Sequence, residues 1–209
     1  MVISLQNTGK RFNKEWIFRK CDYTFQSGVS YAITGPNGSG KSTLLQTIAG
    51  AINPSEGKVE ARIGSDNNSE IIDSGLIFQH LSIAAPYLEV VEEMTAKEFL
   101  NFHASFKPFL TGIDTLKILD IIGLKNAADK QIRYYSSGMK QRVKLAQAIF
   151  SNTPTLLLDE PCTNLDAVGY SLYHQLMKEY CSEKLVIVCS NDTEEYDFCT
   201  EKINISNYK

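Results

Sequence analysis

The chain has 209 residues, of which 43% are hydrophobic and 22% charged, with a formal net charge of −3. That is enough to bury a sizeable core, as one large domain or a domain with a sub-lobe. The acidic balance offers no basic surface for non-specific nucleic-acid binding, and no apolar run approaches the ~18 residues of a membrane span.

Met1–Gln6 lacks the basic and apolar regions of a secretory signal. Residues 1–34 and 57–78 carry short β-like runs, such as Val29–Thr34 and Ile71–Gln79, and the turn-rich Gly64–Ser69 reads as a hairpin tip. Val29–Thr34 feeds Gly35-Pro36-Asn37-Gly38-Ser39-Gly40-Lys41-Ser42-Thr43, which meets G-x-x-x-x-G-K-[ST] at every fixed position. Glycines let successive N–H groups turn inward as an anion nest. Lys41–Ala51 places Leu44, Leu45, Ile48 and Ala49 on one helical face. The start of that helix adds about half a positive charge beneath a triphosphate. Lys41 then reaches the β- and γ-phosphates, and the Ser42 hydroxyl ligates Mg²⁺.

Residues 80–150 read as helical, including Ala96–Phe106 and Asp114–Ile122, the latter stopped by a C′ cap at Gly123. Tyr135–Arg142 precedes a helix carrying Val143, Ala146, Ile149 and Phe150. Its small residues suit either a second anion site or an N-cap alone. Thr155–Leu158 reads as a buried parallel strand ending in Asp159 and Glu160, at the end of a sheet where ligands bind. Asp159 there holds the magnesium shell and Glu160 polarises a water for in-line attack. Helix Ala167–Cys181, strand Leu185–Cys189 and an edge strand near Ile203–Ile205 follow. Strands alternating with helices give a mainly parallel sheet. The five cysteines form no C-x-x-C pair and read as reduced thiols. His80, His103 and His174 lack the spacing of metal ligands and read as surface or packing residues.

The order and spacing of these segments resemble the ATP-binding cassette family, the nucleotide-binding subunits of ABC transporters, over almost the whole chain. Gly35–Thr43 resembles its Walker A motif, Gln79 in Ile77-Phe78-Gln79 the Q-loop glutamine, and Tyr135–Arg142 the L-S-G-G-Q signature. Asp159 and Glu160 resemble the Walker B pair, and Asn164-Leu165-Asp166 the D-loop. The resemblance implies an α/β P-loop NTPase core with an N-terminal antiparallel β sub-lobe and a helical sub-lobe at about 80–150, one cassette over 1–209. It implies ATP and Mg²⁺ as ligands, with Gln79 joining Ser42 and Asp159 at the metal. Phe12 stands where the family stacks an aromatic ring on adenine, with Trp16 the second candidate. Two cassettes, identical or different, would face head to tail so that Ser136 and Gly138 act in trans on the γ-phosphate.

The implied activity is hydrolysis of ATP to ADP and phosphate. It would drive a separate transmembrane permease from the cytoplasmic face of the membrane, with a lean toward export. The segment His80–Phe106 is where the family docks that permease; its Ile83, Ala84, Ala85, Tyr87, Leu88, Val90 and Val91 suit a docking surface and internal packing equally. This sequence departs from the pattern at Ser137, Met139 and above all Asn191, which stands where the family has a histidine. An amide donates one hydrogen bond to phosphate but cannot carry charge or relay a proton. Slow turnover with intact ATP binding is the expectation. A degenerate or regulatory cassette that dimerises on ATP is the alternative. A small phosphotransferase would need lid arginines, and 80–150 holds only Arg133 and Arg142. A cassette acting on ribosomes or DNA would carry a second cassette or coiled-coil insertions.

Overall fold

The computed structural model describes residues 1–64 and 69–209. Strands β1 (Val2–Phe12), β2 (Glu15–Gln26), β4 (Glu56–Ile63) and β5 (Glu70–Ile72) form an antiparallel sheet in the order β2-β1-β4-β5. A second sheet has the order β6-β7-β8-β3-β9 and is parallel throughout. Its strands are β3 (Ser30–Thr34), β6 (Leu81–Ala84), β7 (Thr155–Asp159), β8 (Leu185–Cys189) and β9 (Glu201–Asn204). This is the α/β P-loop arrangement with an antiparallel β lobe.

The apolar runs form central strands because both faces of the parallel sheet are covered. Alternation divides each run between two cores. Leu157, Ile187, Tyr31 and Ile33 pack with the antiparallel sheet and with helix α1 (Lys41–Ile48), through Leu44, Leu45 and Ile48. Leu156, Leu158, Val186, Val188 and Ala32 face the opposite core. There they meet helices α2 (Ala96–Ala104), α3 (Thr115–Ile121), α4 (Ser137–Phe150) and α5 (Ala167–Tyr180). Each such aliphatic side chain contributes about 1.5–3 kcal/mol on burial.

Two expectations need correction. Ile71–Gln79 is not one strand: β5 ends at Ile72, and Ile77–His80 is a 3-10 turn. The Asp73 side chain accepts the Gly75 N–H at 2.7 Å, turning the chain before any strand can continue. Residues 80–150 do not begin as helix either, because Leu81–Ala84 is strand β6, paired with β7. A four-residue run cannot distinguish a buried strand from a helix segment by periodicity.

Beyond β6 the lobe is helical and closed by local signals. Thr95 and Glu98 form a reciprocal capping box at α2, and Asp114 caps α3. Gly123, at φ 72°, closes α3: its N–H bonds to Asp120 O and the Leu124 N–H to Leu119 O, a Schellman pair. β4 and β5 pair antiparallel around the expected hairpin tip, whose residues 65–68 lie outside the described residues. All five cysteines are free and buried. No helix among the described residues is long and apolar enough to cross a membrane.

Candidate active site

Strands β3, β7 and β8 end side by side at Thr34, Asp159 and Cys189. In a parallel sheet the crevice beyond those ends collects loops and helix N-termini. The loop leaving β3 passes through positive φ at Gly35 (146°), Gly38 (73°) and Gly40 (105°). A Cβ at Gly40 would lie 2.4 Å from Ile17 Cγ2, so glycine is required there both by torsion and by contact with β2. Helix α1 starts directly from Gly40 with no side-chain cap and no acidic residue in its first turn. Its free N–H groups and positive dipole end therefore face the loop.

Lys41 is 5% exposed. Its Nζ donates to Gly35 O at 2.9 Å, Pro36 O at 3.4 Å and Asn191 Oδ1 at 3.2 Å. The Asn191 amide in turn donates to Asn37 Oδ1. Asn191 thus reaches the glycine-rich loop from the end of β8, and its amide is oriented by the lysine. Asp159 is 2% exposed, and burial pushes its carboxyl above the ordinary value. The Ser42 hydroxyl bond opposes that shift, Glu160's charge adds to it, and Lys41's charge opposes it.

The Asp159 Oδ1 atom is buried without a hydrogen-bond partner. An orphaned carboxylate oxygen beside a hydroxyl is a hard donor pair suited to magnesium. Among the described residues no three His, Cys, Asp or Glu side chains gather to hold a metal alone, so phosphate oxygens and water would complete such a shell. Glu160 follows at φ 44°, an unusual torsion for a non-glycine residue, with its N–H bonded to Cys189 O at 2.9 Å. Lys41, Ser42, Asp159, Glu160 and Asn191 thus converge at one end of the sheet.

Gln79 does not join them. β6 runs parallel to β7 with Leu81 opposite Thr155 and Ala84 opposite Leu158, so Gln79 sits beyond the start of β6. At about 3.3 Å per residue this leaves it roughly 15–20 Å from the row of Asp159. The loop after β6 brings Tyr87 instead. The residue is 44% exposed, yet partial burial raises its phenol to about 12, opposed by a hydrogen bond to Gln46 of α1 and reinforced by the charge of Asp159. Only the placement of β6 reveals Tyr87, because its sequence signal is that of an apolar loop.

Ser136 caps α4, accepting the Met139 N–H at 3.2 Å, and it is exposed. Ser136 and Gly138 lie beside Asn164 and Asp166 in a cleft of about 480 Å³ whose lining includes no residue of Gly35–Thr43. A Cβ at Gly138 would approach Asn164 O to 3.0 Å, so a side chain there would push that carbonyl by a few tenths of an ångström. Gln141 Nε2 donates to Pro161 O at 2.6 Å, docking α4 on the turn after Glu160. Phe12 is 47% exposed, with Lys10 Nζ 5.1 Å from its ring. Trp16 carries the Arg11 and Arg19 guanidiniums near its ring at 5.6 and 4.4 Å, leaving Phe12 the freer ring.

The sequence model of the ABC transporter family matches residues 18–163. An uncharacterized ABC transporter ATP-binding protein, YybJ of Bacillus subtilis, is 31% identical over 93% of this chain and 87% of its own length. The cytochrome c biogenesis ATP-binding export protein CcmA of Mesorhizobium japonicum is 30% identical over 91% of both chains. Among solved structures, a putative ABC transporter ATP-binding protein from Pyrococcus furiosus superposes with a TM-score of 0.81 over all of both chains, at 19% identity. A bacterial ABC transporter cassette solved as a dimer has a TM-score of 0.78 over 97% of this chain and 94% of its own, at 23% identity. The chain belongs to the ABC transporter family, among its ATP-binding subunits.

Proposed function

We propose that this chain is an ATP-hydrolysing cassette, one domain over residues 1–209, that powers a separate membrane subunit. The observation that carries the reading is the convergence of Lys41, Ser42, Asp159, Glu160 and Asn191 around the uncapped start of α1. Lys41 turns from the Gly35 and Pro36 carbonyls to the β- and γ-phosphates, and the backbone N–H groups of Gly38–Thr43 hold their oxygens. Ser42 and Asp159 would hold Mg²⁺, which when bound would neutralise developing negative charge on the phosphates. Glu160 takes the proton of the attacking water. Asn191 Nδ2, already presented toward Asn37, donates to the γ-phosphate. Phe12 stacks on adenine.

Ser136 is exposed and Gly138 partly so, in a cleft that includes none of their own Gly35–Thr43 loop, which supports their acting on a nucleotide held by a second cassette, identical or not. Closing that helix start over the phosphates excludes water and adds donors where charge develops. The permease docks on the loop after β6. Its Tyr87, Leu88 and Val91 are exposed, whereas Ala84, Ala85 and Val90 are buried and Ile83 is partly covered. A place at the cytoplasmic face of the membrane follows from such docking. The similarity to CcmA, an export protein, supports export here too.

A regulatory cassette with little turnover is the second reading, favoured by Asn191 at the phosphate loop and by the position of Gln79. Magnesium-dependent phosphate release from the purified chain separates the two. Release that follows added magnesium supports the ATPase, and ATP binding without release supports the regulatory cassette.

A further inference from the structure

Glu195 is 3% exposed, and nothing in the chemistry above uses it. Its Oε1 accepts the Cys162 N–H at 2.8 Å, while its Oε2 is buried without a hydrogen-bond partner. Cys162 lies in the tight turn that leaves Glu160. There Thr163 donates to Glu160 O through its N–H at 3.2 Å and its hydroxyl at 3.0 Å, and the Leu165 N–H bonds to Cys162 O at 2.9 Å. At its other end Glu195 closes the turn that carries Asn191. Its N–H bonds to Asp192 O at 3.1 Å, and its own carbonyl accepts the Tyr173 hydroxyl at 2.8 Å. A parallel tie runs from the Tyr170 hydroxyl to Asp192 Oδ2 at 2.8 Å.

We infer that Glu195 is a positioning residue that locks the turn bearing Glu160 to the turn bearing Asn191. The proposed base and the proposed phosphate donor then keep one spacing. Glu160 needs such a lock, because a carboxylate at φ 44° persists only where its surroundings over-determine the backbone. Burial shifts the Glu195 carboxyl toward its neutral form, opposed by Ser190 and by the Cys162 N–H, and reinforced by the charges of Asp192 and Glu160. The bond from Cys162 needs only an oxygen acceptor at the right reach, so the lock depends on side-chain length rather than on charge.

The test compares Glu195→Gln, Glu195→Asp and Glu195→Ala in the full chain. Four quantities are read: melting temperature, ATP affinity, kcat and KM for phosphate release, and amide exchange in peptides covering 160–165 and 190–196. Glutamine keeps the reach and is expected to hold kcat within about threefold of the parent. Aspartate keeps the carboxyl but falls a methylene short. It and alanine are expected to lower kcat by about 10²-fold, the usual effect of a misplacement near 1 Å. ATP affinity stays near the parent value, and exchange rises in both peptides together while α1 keeps its protection.

The inference is overturned if aspartate matches the parent, if glutamine loses as much as alanine, or if exchange rises evenly over the whole chain. Should alanine not fold, the glutamine and aspartate pair still decides. The kinetic arm rests on the ATPase reading. A parent chain that binds ATP but releases no phosphate defeats that reading, while the exchange arm, which needs no turnover, still judges Glu195.

Discussion

Replacing Lys41 by methionine isolates the charge at the centre of the site, because the unbranched stem keeps its packing. In the free protein the amine bonds Gly35 O, Asn191 Oδ1 and Pro36 O at 2.9, 3.2 and 3.4 Å. Gly35 is half-buried and Pro36 and Asn191 are exposed, so water can replace the lost donor. In the complex the amine faces the phosphates, where stranding a charged contact is worth about 2–4 kcal/mol. Nucleotide binding in the parent must also release some of those three bonds, an expense of about 1 kcal/mol that the variant avoids. The net loss is then about 1–3 kcal/mol, or a Kd for Mg-ATP weaker by about 5- to 150-fold. Calorimetric titration in a Glu160→Gln background, where turnover does not consume the ligand, reads this directly. A Kd within threefold of the parent would show that Gly35–Thr43 is not the phosphate site.

Glu160→Gln itself should slow phosphate release by about 10²–10⁴-fold with ATP binding retained, and light scattering should show an ATP-bound dimer accumulating. Unchanged release would remove Glu160 from the role of base. Asn191→His should raise turnover by about tenfold at similar ATP affinity, since imidazole offers charge and proton relay that an amide lacks. If that gain is absent and Asn191→Ala equals the parent, the position has no catalytic part in the chain by itself. His103 makes a pH-dependent prediction. Burial lowers its pKa from 6.5 to about 4, with Lys107's charge acting the same way, and its Nε2 pairs with Ser151 Oγ at 2.8 Å. The unfolded chain therefore binds more protons between those values, so this contribution to stability is full above pH 6.5 and is lost as pH falls toward 4. His103→Phe, stacked on Phe109 in the same way, should show a flatter decline in melting temperature from pH 7 to 5; an unchanged slope would refute the assignment.

Much of the catalytic end was legible because its signals are local. A tight phosphate loop needs glycines at fixed offsets, and Gly35, Gly38 and Gly40 do take positive φ there. An apolar run ending in two acids reads as a buried strand, and β7 runs Thr155–Asp159, one residue past the expected Leu158. β8 covers Leu185–Cys189 with the expected bounds. The cap at Gly123 was visible because only glycine takes that torsion without strain.

Reading Ile77-Phe78-Gln79 as a strand end failed for a physical reason. A short apolar stretch ending in a polar residue looks the same in a turn as in a strand, and pairing with β7 decides which four residues extend. That pairing chose Leu81–Ala84, moved Gln79 to the far end of the sheet and brought Tyr87 near Asp159. Glu195 was invisible for a related reason. An acid four residues after Asn191 carries no periodic signal, and its burial exists only once β8, α5 and the turn after β7 have met.

The sequence by itself determined which backbone can hold phosphate, which acids stand beside it and which runs must be buried, since these follow from torsion, charge and apolar spacing along a few neighbouring residues. Only the tertiary structure decided that the Asn191 amide is turned by Lys41, that Asp159 keeps an unpartnered oxygen, and that Cys162 gives its N–H to a buried carboxylate. Each of these joins residues more than 30 positions apart or depends on water being excluded from between strands, and neither condition is written in any single stretch of chain.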